Sequence, residues 1–282
     1  MKQELWKLLI FKQRYNEYMV SLADLAINCA EITPKIHQFI LETVENTGLN
    51  GVVVNVSGGI DSAVTIHLAV QALGPGKVTA ITIPERDVTP RGDIKDVMLH
   101  CKQLNLTCNT VDITPILHVM RDIMPGYDVT DRITCGNIRS RLRMIIAYHR
   151  ANMEGKLVMG TSNKTELLTG FFTKHGDGGV DFMPLGDLWK YNIKQLAKYL
   201  EIPENIIKKA PSPGFFEGHT DEDELGMHYD NIDLILYSYE QGLTIKEISD
   251  DLSIDAPEVS RILNRVKANQ HKRANPLVLR LS

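Results

Sequence analysis

The sequence predicts an α/β fold: a doubly wound, mostly parallel sheet with helices on both faces. Three observations predict it. Short β-branched runs, above all Val52 to Val56, are bounded by glycines. Stretches with apolar residues at helical spacing separate those runs. Strand and helix signals then alternate along the chain, which is the pattern of βα units feeding a parallel sheet.

Each element has its own local reason. Met1 to about Ala30 carries no motif, and its Trp6, Leu9, Phe11 and Tyr15 suggest packing or a dimer contact. Thr33-Pro34 reads as an N-cap followed by proline at the first helical position. Ile36, Phe39, Ile40 and Val44 keep helical spacing from there to Gly48. Val52 to Val56 reads as a buried strand. A helix should start near Asp61 and run to about Leu73, where Gly74-Pro75-Gly76 breaks it. Val78 to Ile83 and Thr110 to Ile113 are the next two strands. Asn137 to Met153 is helical, and Leu157-Val-Met159 is a fourth strand feeding Gly160-Thr-Ser162. In open parallel sheets ligands bind beyond the carboxyl ends of the strands, so site residues belong just after Val56, Ile83 and Met159.

Composition narrows the function classes. The chain has 282 residues, 43% of them hydrophobic and 23% charged, close to the averages for globular proteins. A chain of this size buries about 75% of its unfolded surface and can form a single domain over 1–282. No apolar run approaches the roughly 18 residues of a membrane span, and Met1-Lys-Gln-Glu-Leu-Trp-Lys has no signal-peptide core. A soluble, cytoplasmic protein with no membrane partner is expected. Cys29, Cys101, Cys108 and Cys135 are too scattered for a disulfide framework or a zinc site, so reduced thiols are expected. The net charge of −4 supplies no field for nucleic acid.

One segment favours DNA all the same. Leu243 to Leu252 and Pro257 to Val266, with Ile248, Leu252, Ile262 and Val266 inward, look like a helix-turn-helix over 243–270. Asp250, Asp251, Asp255 and Glu258 put negative charge where phosphates would approach, so no nucleic-acid partner is expected.

Ser57-Gly-Gly-Ile-Asp-Ser62 joins the first strand to its helix. Gly58 and Gly59 allow a sharp turn and close approach to an anion. The helix N-terminus adds free N–H groups and partial positive charge, and Ser57 and Ser62 add hydroxyl donors. Asp61 would repel phosphates unless a cation lies between them, which points to Mg²⁺ bridging Asp61 and a nucleotide. The plainer reading is a tight βα turn with Asp61 as a helix cap. No Gly-Lys-Ser/Thr follows, so this is not a Walker A loop.

SGGIDS resembles the signature of the ATP pyrophosphatases. Three further segments resemble the NAD synthetases within that superfamily: Gly160-Thr-Ser-Asn-Lys-Thr-Glu-Leu-Leu-Thr-Gly-Phe-Phe-Thr-Lys-His-Gly-Asp-Gly-Gly-Val-Asp181; Lys209-Ala-Pro-Ser212 with Asp221-Glu-Asp-Glu-Leu-Gly226; and Asn137-Ile-Arg-Ser-Arg141 with His271-Lys-Arg273. The resemblance implies an adenine-nucleotide α-hydrolase-like, Rossmann-like fold. It implies amidation of deamido-NAD by ammonia, with ATP cleaved to AMP and pyrophosphate through an adenylated intermediate. The shorter acceptor deamido-NMN is the alternative within the same chemistry. It also implies a homodimer, and the chain has no length for the amidase domain of glutamine-dependent members.

Residue by residue, the resemblance assigns ATP contacts to Ser57, Gly58, Gly59, Ile60, Asp61, Ser62, Thr161, Lys190 and Ser212. Mg²⁺ falls to Asp61 and Glu166. Deamido-NAD falls to Arg141, Lys174, Asp181, His271 and Lys272, and the phosphate-side lysine is Lys209. Position alone would make Glu166 a first-turn dipole partner, Lys190 a surface lysine, and the Arg139/Arg141/Arg143 group a solvated helix face. Phe171 and Phe172 could stack on a ring or belong to the core. Asp177, in Gly176-Asp-Gly-Gly179, would ordinarily be a turn residue. Ammonium must lose a proton before it attacks, and Asp177 is the candidate base. Pro213 to Gly218, rich in glycine, is a candidate lid over the intermediate. Ile60 stands where many ammonia-dependent members carry glutamine.

Overall fold

The computed structural model describes residues 19–86, 88–211 and 221–281. Trp6, Leu9, Phe11 and Tyr15, Ser212 and the Pro213–Gly218 segment lie outside the described residues. Strands β1 (Val52–Asn55), β2 (Val78–Thr82), β3 (Cys108–Thr110) and β4 (Leu157–Met159) form one parallel sheet in the order β3-β2-β1-β4. Val54 pairs with Ala80 on one side and Met159 on the other, so β1 is central.

Five helices accompany the strands: α1 (Cys29–Thr47), α2 (Ile60–Leu73), α3 (Arg91–Gln103), α4 (Thr114–Ile123) and α5 (Arg132–Glu154). After β4 come α6 (Lys164–Thr169), α7 (Lys190–Tyr199) and α8 (Glu204–Ile207). The chain then continues through α9 (Asp221–Leu225), α10 (Tyr229–Glu240), α11 (Ile245–Leu252), α12 (Ala256–Ala268) and α13 (Gln270–Arg273).

Successive side chains of a strand point to opposite faces, and β1 uses both. Val52 and Val54 pack with Ile40 of α1, Ile66 and Leu68 of α2, and Ile193 and Leu196 of α7. Val53 packs with Ile81, Leu117 of α4, and Leu142, Ala147 and Ala151 of α5. All three valines are fully buried, which is why the run reads as apolar without alternation. A third cluster joins Trp189, Leu225, Tyr229, Ile232, Ile235, Ile248, Val259 and Ile262. The helix-turn-helix pattern thus turns Ile248 and Ile262 wholly inward, with Leu252 and Val266 partly buried against the same cluster. Arg265 and Asn269 also donate to the Thr169 carbonyl at 3.0 and 3.2 Å, so this helix pair braces α6.

Two boundaries depart from expectation. The first helix starts at Cys29 rather than at Pro34, because Asn28 caps it by accepting from the Ala30 N–H at 3.1 Å. Pro34 lies inside, where its missing N–H forgoes one helical bond. The third strand is Cys108–Thr110, two residues early; Ile113 instead precedes α4 and is fully buried. Among the described residues the four cysteines are unpaired, and no helix is long and apolar enough to cross a membrane.

His67 of α2 stacks on His100 of α3 with ring centroids 5.9 Å apart. Burial, then the neighbouring His100 and His37, pushes the His67 pKa down from 6.5 to about 4. The unfolded chain therefore takes up the proton first as pH falls. The contribution of His67 to stability is complete above pH 6.5 and is lost toward pH 4. The buried carboxylates with raised pKa act in the opposite sense over the same window, so the His67 share is read by difference: the wild type should lose thermal stability relative to His67→Gln as pH falls from 6.5 to 4.

Candidate active site

The order β3-β2-β1-β4 makes the crevice between β1 and β4 the point where successive connections diverge. Such switch points bring two strand-to-helix loops side by side at the carboxyl edge. Here they are Ser57–Ser62 after β1 and Gly160–Asn163 after β4, and Thr161 lies in the second. The first loop is self-bonded. Ser62 Oγ donates to the Gly59 carbonyl at 2.9 Å and accepts from the Ser57 N–H at 3.2 Å. Gly58 has φ +89°, and a Cβ there would lie 3.0 Å from both Cβ and the carbonyl oxygen of Asp93. Gly58→Ala should therefore destabilise the fold by about 1–2 kcal/mol or more from the left-handed backbone alone. Thermal unfolding reads that loss, and a raised KM for ATP reads the displaced loop.

The two loops meet through charge. Asn163, fully buried, accepts from the Glu166 N–H at 3.0 Å and donates from Nδ2 to Asp61 Oδ1 at 2.8 Å. Glu166 returns the cap by accepting from the Asn163 N–H at 3.2 Å. Lys190, at the start of α7, places its ammonium 2.6 Å from Asp61 Oδ2 and 3.2 Å from Glu166 Oε1. It is 2% exposed, so the reading of Lys190 as a surface lysine is corrected. The reason is tertiary. Lys190 N–H donates to Thr165 Oγ1 at 3.1 Å, and Asp233 accepts from Thr165 Oγ1 and the Tyr191 N–H at 2.5 and 2.8 Å. α7 therefore begins beneath α6 and α10.

Burial, then the Asp61 charge, pushes the Glu166 pKa up to about 8. Burial opposes the Lys190 ammonium, but Asp61, Glu166 and Asp221 hold its pKa well above the ordinary lysine value. Burial likewise raises Asp221 and Asp233 to about 6. A cation already sits between the Asp61 and Glu166 carboxylates, and it is the protein's own. Two convergent carboxylates with no third ligand suit Mg²⁺, which completes its shell with water and phosphate. Among the described residues there is no cluster of three or more metal-ligating side chains.

Lys209 touches the Ser57–Ser62 loop from outside. Its ammonium donates to the Gly58 carbonyl at 3.1 Å and to Asp93 and Asp96 of α3 at 2.9 Å each.

The second group of expected residues gathers beyond α6. Arg141, on α5 and exposed, donates to the Lys174 carbonyl at 3.3 Å. Lys174 Nζ donates to the carbonyls of His271 and Ala274 at 2.7 and 3.3 Å. Lys272 Nζ donates to the carbonyls of Gly170 and Phe172 at 2.7 and 3.0 Å and lies 5.7 Å from the Phe172 ring centroid. Asp177 Oδ1 accepts from Ser140 Oγ at 2.6 Å and the Thr173 N–H at 2.9 Å, so its carboxylate is aimed. Asp181 is bonded elsewhere: it accepts from Tyr148 at 3.0 Å and the Val158 N–H at 2.7 Å. The neighbours of Arg141 are not a solvated face. Arg139 forms a two-point ion pair with Glu85 at 2.5 and 3.0 Å, and Arg143 Nε donates to the Ile83 carbonyl at 3.0 Å. Phe171 packs into the helical cluster, with Arg265 5.8 Å from its ring centroid.

Asn163, Ser140, Glu85, Asp221 and Asp233 were not anticipated. The Asn163-x-x-Glu166 spacing is a capping box visible in the sequence; the others carry no local signal.

The NAD synthase family model matches residues 32–276. An NH3-dependent NAD+ synthetase of Methanococcoides burtonii is 44% identical over 86% of this chain and 92% of its own. Two solved structures, each 32% identical and covering 90% of this chain, have the same fold. They are an NMN synthetase of Francisella tularensis (TM-score 0.80, 99% of that chain) and an NH3-dependent NAD synthetase of Campylobacter jejuni (TM-score 0.76, 100%). The sheet order, the loop after β1 and these likenesses agree, and the chain belongs to the NAD synthase family.

Proposed function

We propose that this chain amidates deamido-NAD with ammonia, cleaving ATP to AMP and pyrophosphate through an adenylated carboxylate. The observation that carries the reading is the convergence of Asp61 and Glu166 on one cation position beside the Ser57–Ser62 loop. The ATP triphosphate would lie on that loop, with Ser57, Ser62 and Thr161 as hydroxyl donors and the N–H groups of Gly59, Ile60 and Asp61 at the start of α2. Asp61 and Glu166 would hold Mg²⁺. When bound, it stabilises the charge that develops on the departing pyrophosphate. Lys190 would keep a further positive charge in the crevice, and Lys209 with Ser212 would meet the phosphates from the other side.

The acceptor carboxylate attacks the α-phosphorus, and Arg141, Lys174, His271 and Lys272 would bind its dinucleotide; Asp181 would reach it only with the lone pairs that Tyr148 and the Val158 N–H leave open. Asp177 attracts ammonium and removes its proton; ammonia then displaces AMP. The adenylate hydrolyses in water, so the Pro213–Gly218 segment would close over it. Two copies would assemble as a homodimer. Ile116, Val119 and Ile123 of α4 and Ile133 and Ile145 of α5, helices on one sheet face, are exposed apolar residues that such a contact would cover.

Deamido-NMN as acceptor is the second reading, favoured by the likeness to the Francisella NMN synthetase. Purified protein given ATP, Mg²⁺, ammonium and both acceptors decides between them. Faster NAD formation with one AMP per NAD supports the first reading, and faster NMN formation the second. AMP without either amide would overturn both.

A further inference from the structure

The crevice holds one more buried carboxylate that the proposed chemistry leaves unused. Asp221 opens α9 and is 5% exposed. Its Oδ2 accepts from the Tyr229 hydroxyl at 2.9 Å, while its Oδ1 is buried and, among the described residues, has no hydrogen-bond partner. A buried carboxylate oxygen left without a donor is costly, and its retention calls for an occasional partner. Lys190 is the cation on hand. Its ammonium lies 4.9 Å from the centroid of the Tyr229 ring, the ring whose hydroxyl holds Asp221, and the Asp221 charge already acts on it.

Lys190 also has a reason to move. Its ammonium fills the space between Asp61 Oδ2 and Glu166 Oε1, where a dication bound to both carboxylates would sit. Two cations in one buried pocket repel strongly. Escape to solvent is closed, because the side chain is 2% exposed and its backbone is tied to Thr165. A pivot across the face of Tyr229 keeps the ammonium on an aromatic surface and ends at the open oxygen of Asp221.

We propose that Asp221 receives the Lys190 ammonium when a divalent cation takes Asp61 and Glu166. Asp221 is then a positioning residue: it clears the metal position and keeps the lysine charge inside the crevice. The inference rests on the reading of Asp61 and Glu166 as the cation's ligands.

Mn²⁺ binding to the full chain without nucleotide, followed by electron paramagnetic resonance, tests it through a thermodynamic cycle. Lys190→Met should bind Mn²⁺ at least tenfold more tightly than the wild type. Asp221→Asn, which keeps an acceptor for Tyr229, should bind it at least tenfold more weakly. In the Lys190→Met background, Asp221→Asn should have no effect. Equal binding by Asp221→Asn and wild type, or the same weakening in both backgrounds, overturns the transfer while leaving the metal site intact. A wild type whose Mn²⁺ binding is insensitive to Asp61→Asn removes the metal reading, and this inference with it. If Lys190→Met does not fold, the side-chain ¹⁵N resonance of Lys190 decides. It should shift on Mg²⁺ addition in the wild type and stay fixed in Asp221→Asn; an unmoved wild-type resonance overturns the proposal.

Discussion

Asp61→Asn should slow pyrophosphate release from ATP by about 10³-fold or more, since a metal-anchored charge contributes several kcal/mol and each 1.4 kcal/mol is about tenfold. The substitution is nearly isosteric, so its effect is electrostatic. One carboxylate oxygen faces the amide of Asn163 at 2.8 Å and the other faces the Lys190 ammonium at 2.6 Å. Both neighbours are donors. An asparagine must turn its own NH₂ toward one of them, which breaks a buried pair, and in either orientation Glu166 is left as the one carboxylate ion-paired with Lys190. Glu166→Gln should give a loss of similar size, and the double variant should be little worse than either, because the two carboxylates act as a unit. Circular dichroism and thermal unfolding separate a damaged site from a damaged fold. An Asp61→Asn enzyme that kept wild-type pyrophosphate release would remove the nucleotide site from this crevice.

Asp177→Asn should reduce amide formation by about 10²–10⁴-fold, the range of a general base, while pyrophosphate release continues. The structure makes this variant informative. Asp177 Oδ1 accepts from Ser140 Oγ and the Thr173 N–H, and an asparagine carbonyl can accept both bonds. Loop geometry should therefore survive and only the charge should be lost. The adenylate, formed but not trapped by ammonia, should then hydrolyse, so AMP should accumulate in excess of NAD. Raising the pH supplies ammonia already deprotonated, so the deficit should shrink as pH rises. A deficit that stayed constant with pH would assign Asp177 a purely structural role in its turn.

The sheet was legible because its central strand is buried on both faces and so reads as an unbroken β-branched run. The loop after β1 was legible because a tight strand-to-helix turn with a left-handed Gly58 and self-bonded serines is a local constraint that leaves a local trace. Lys190 was misjudged by position: it is buried against Asp61 and Glu166. Nothing within a few residues of it reports that Asp233, 43 positions later, will pull the start of α7 under α6. Arg139 and Arg143 were misjudged for the same reason, since their partners Glu85 and Ile83 come from the loop that follows β2. Asp221 lies within a resembling segment that gives it no role of its own, and Asp233 is not singled out. A buried carboxylate is defined by its surroundings, and in the sequence each is one acidic residue among others in a helical stretch.

The tie made by Asp233 has a mechanical consequence. One carboxylate grips Thr165 of α6 and the Tyr191 amide of α7, so the helices that carry Glu166 and Lys190 are pinned to a common post on α10. The backbones that carry those two side chains must travel together. Asp61 belongs to the other jaw, mounted on α2 and the sheet. Any hinge motion that widens the crevice would thus part Asp61 from Glu166 and Lys190 in a single stroke, and the spacing across the jaws would gauge whether the clamp is open or shut.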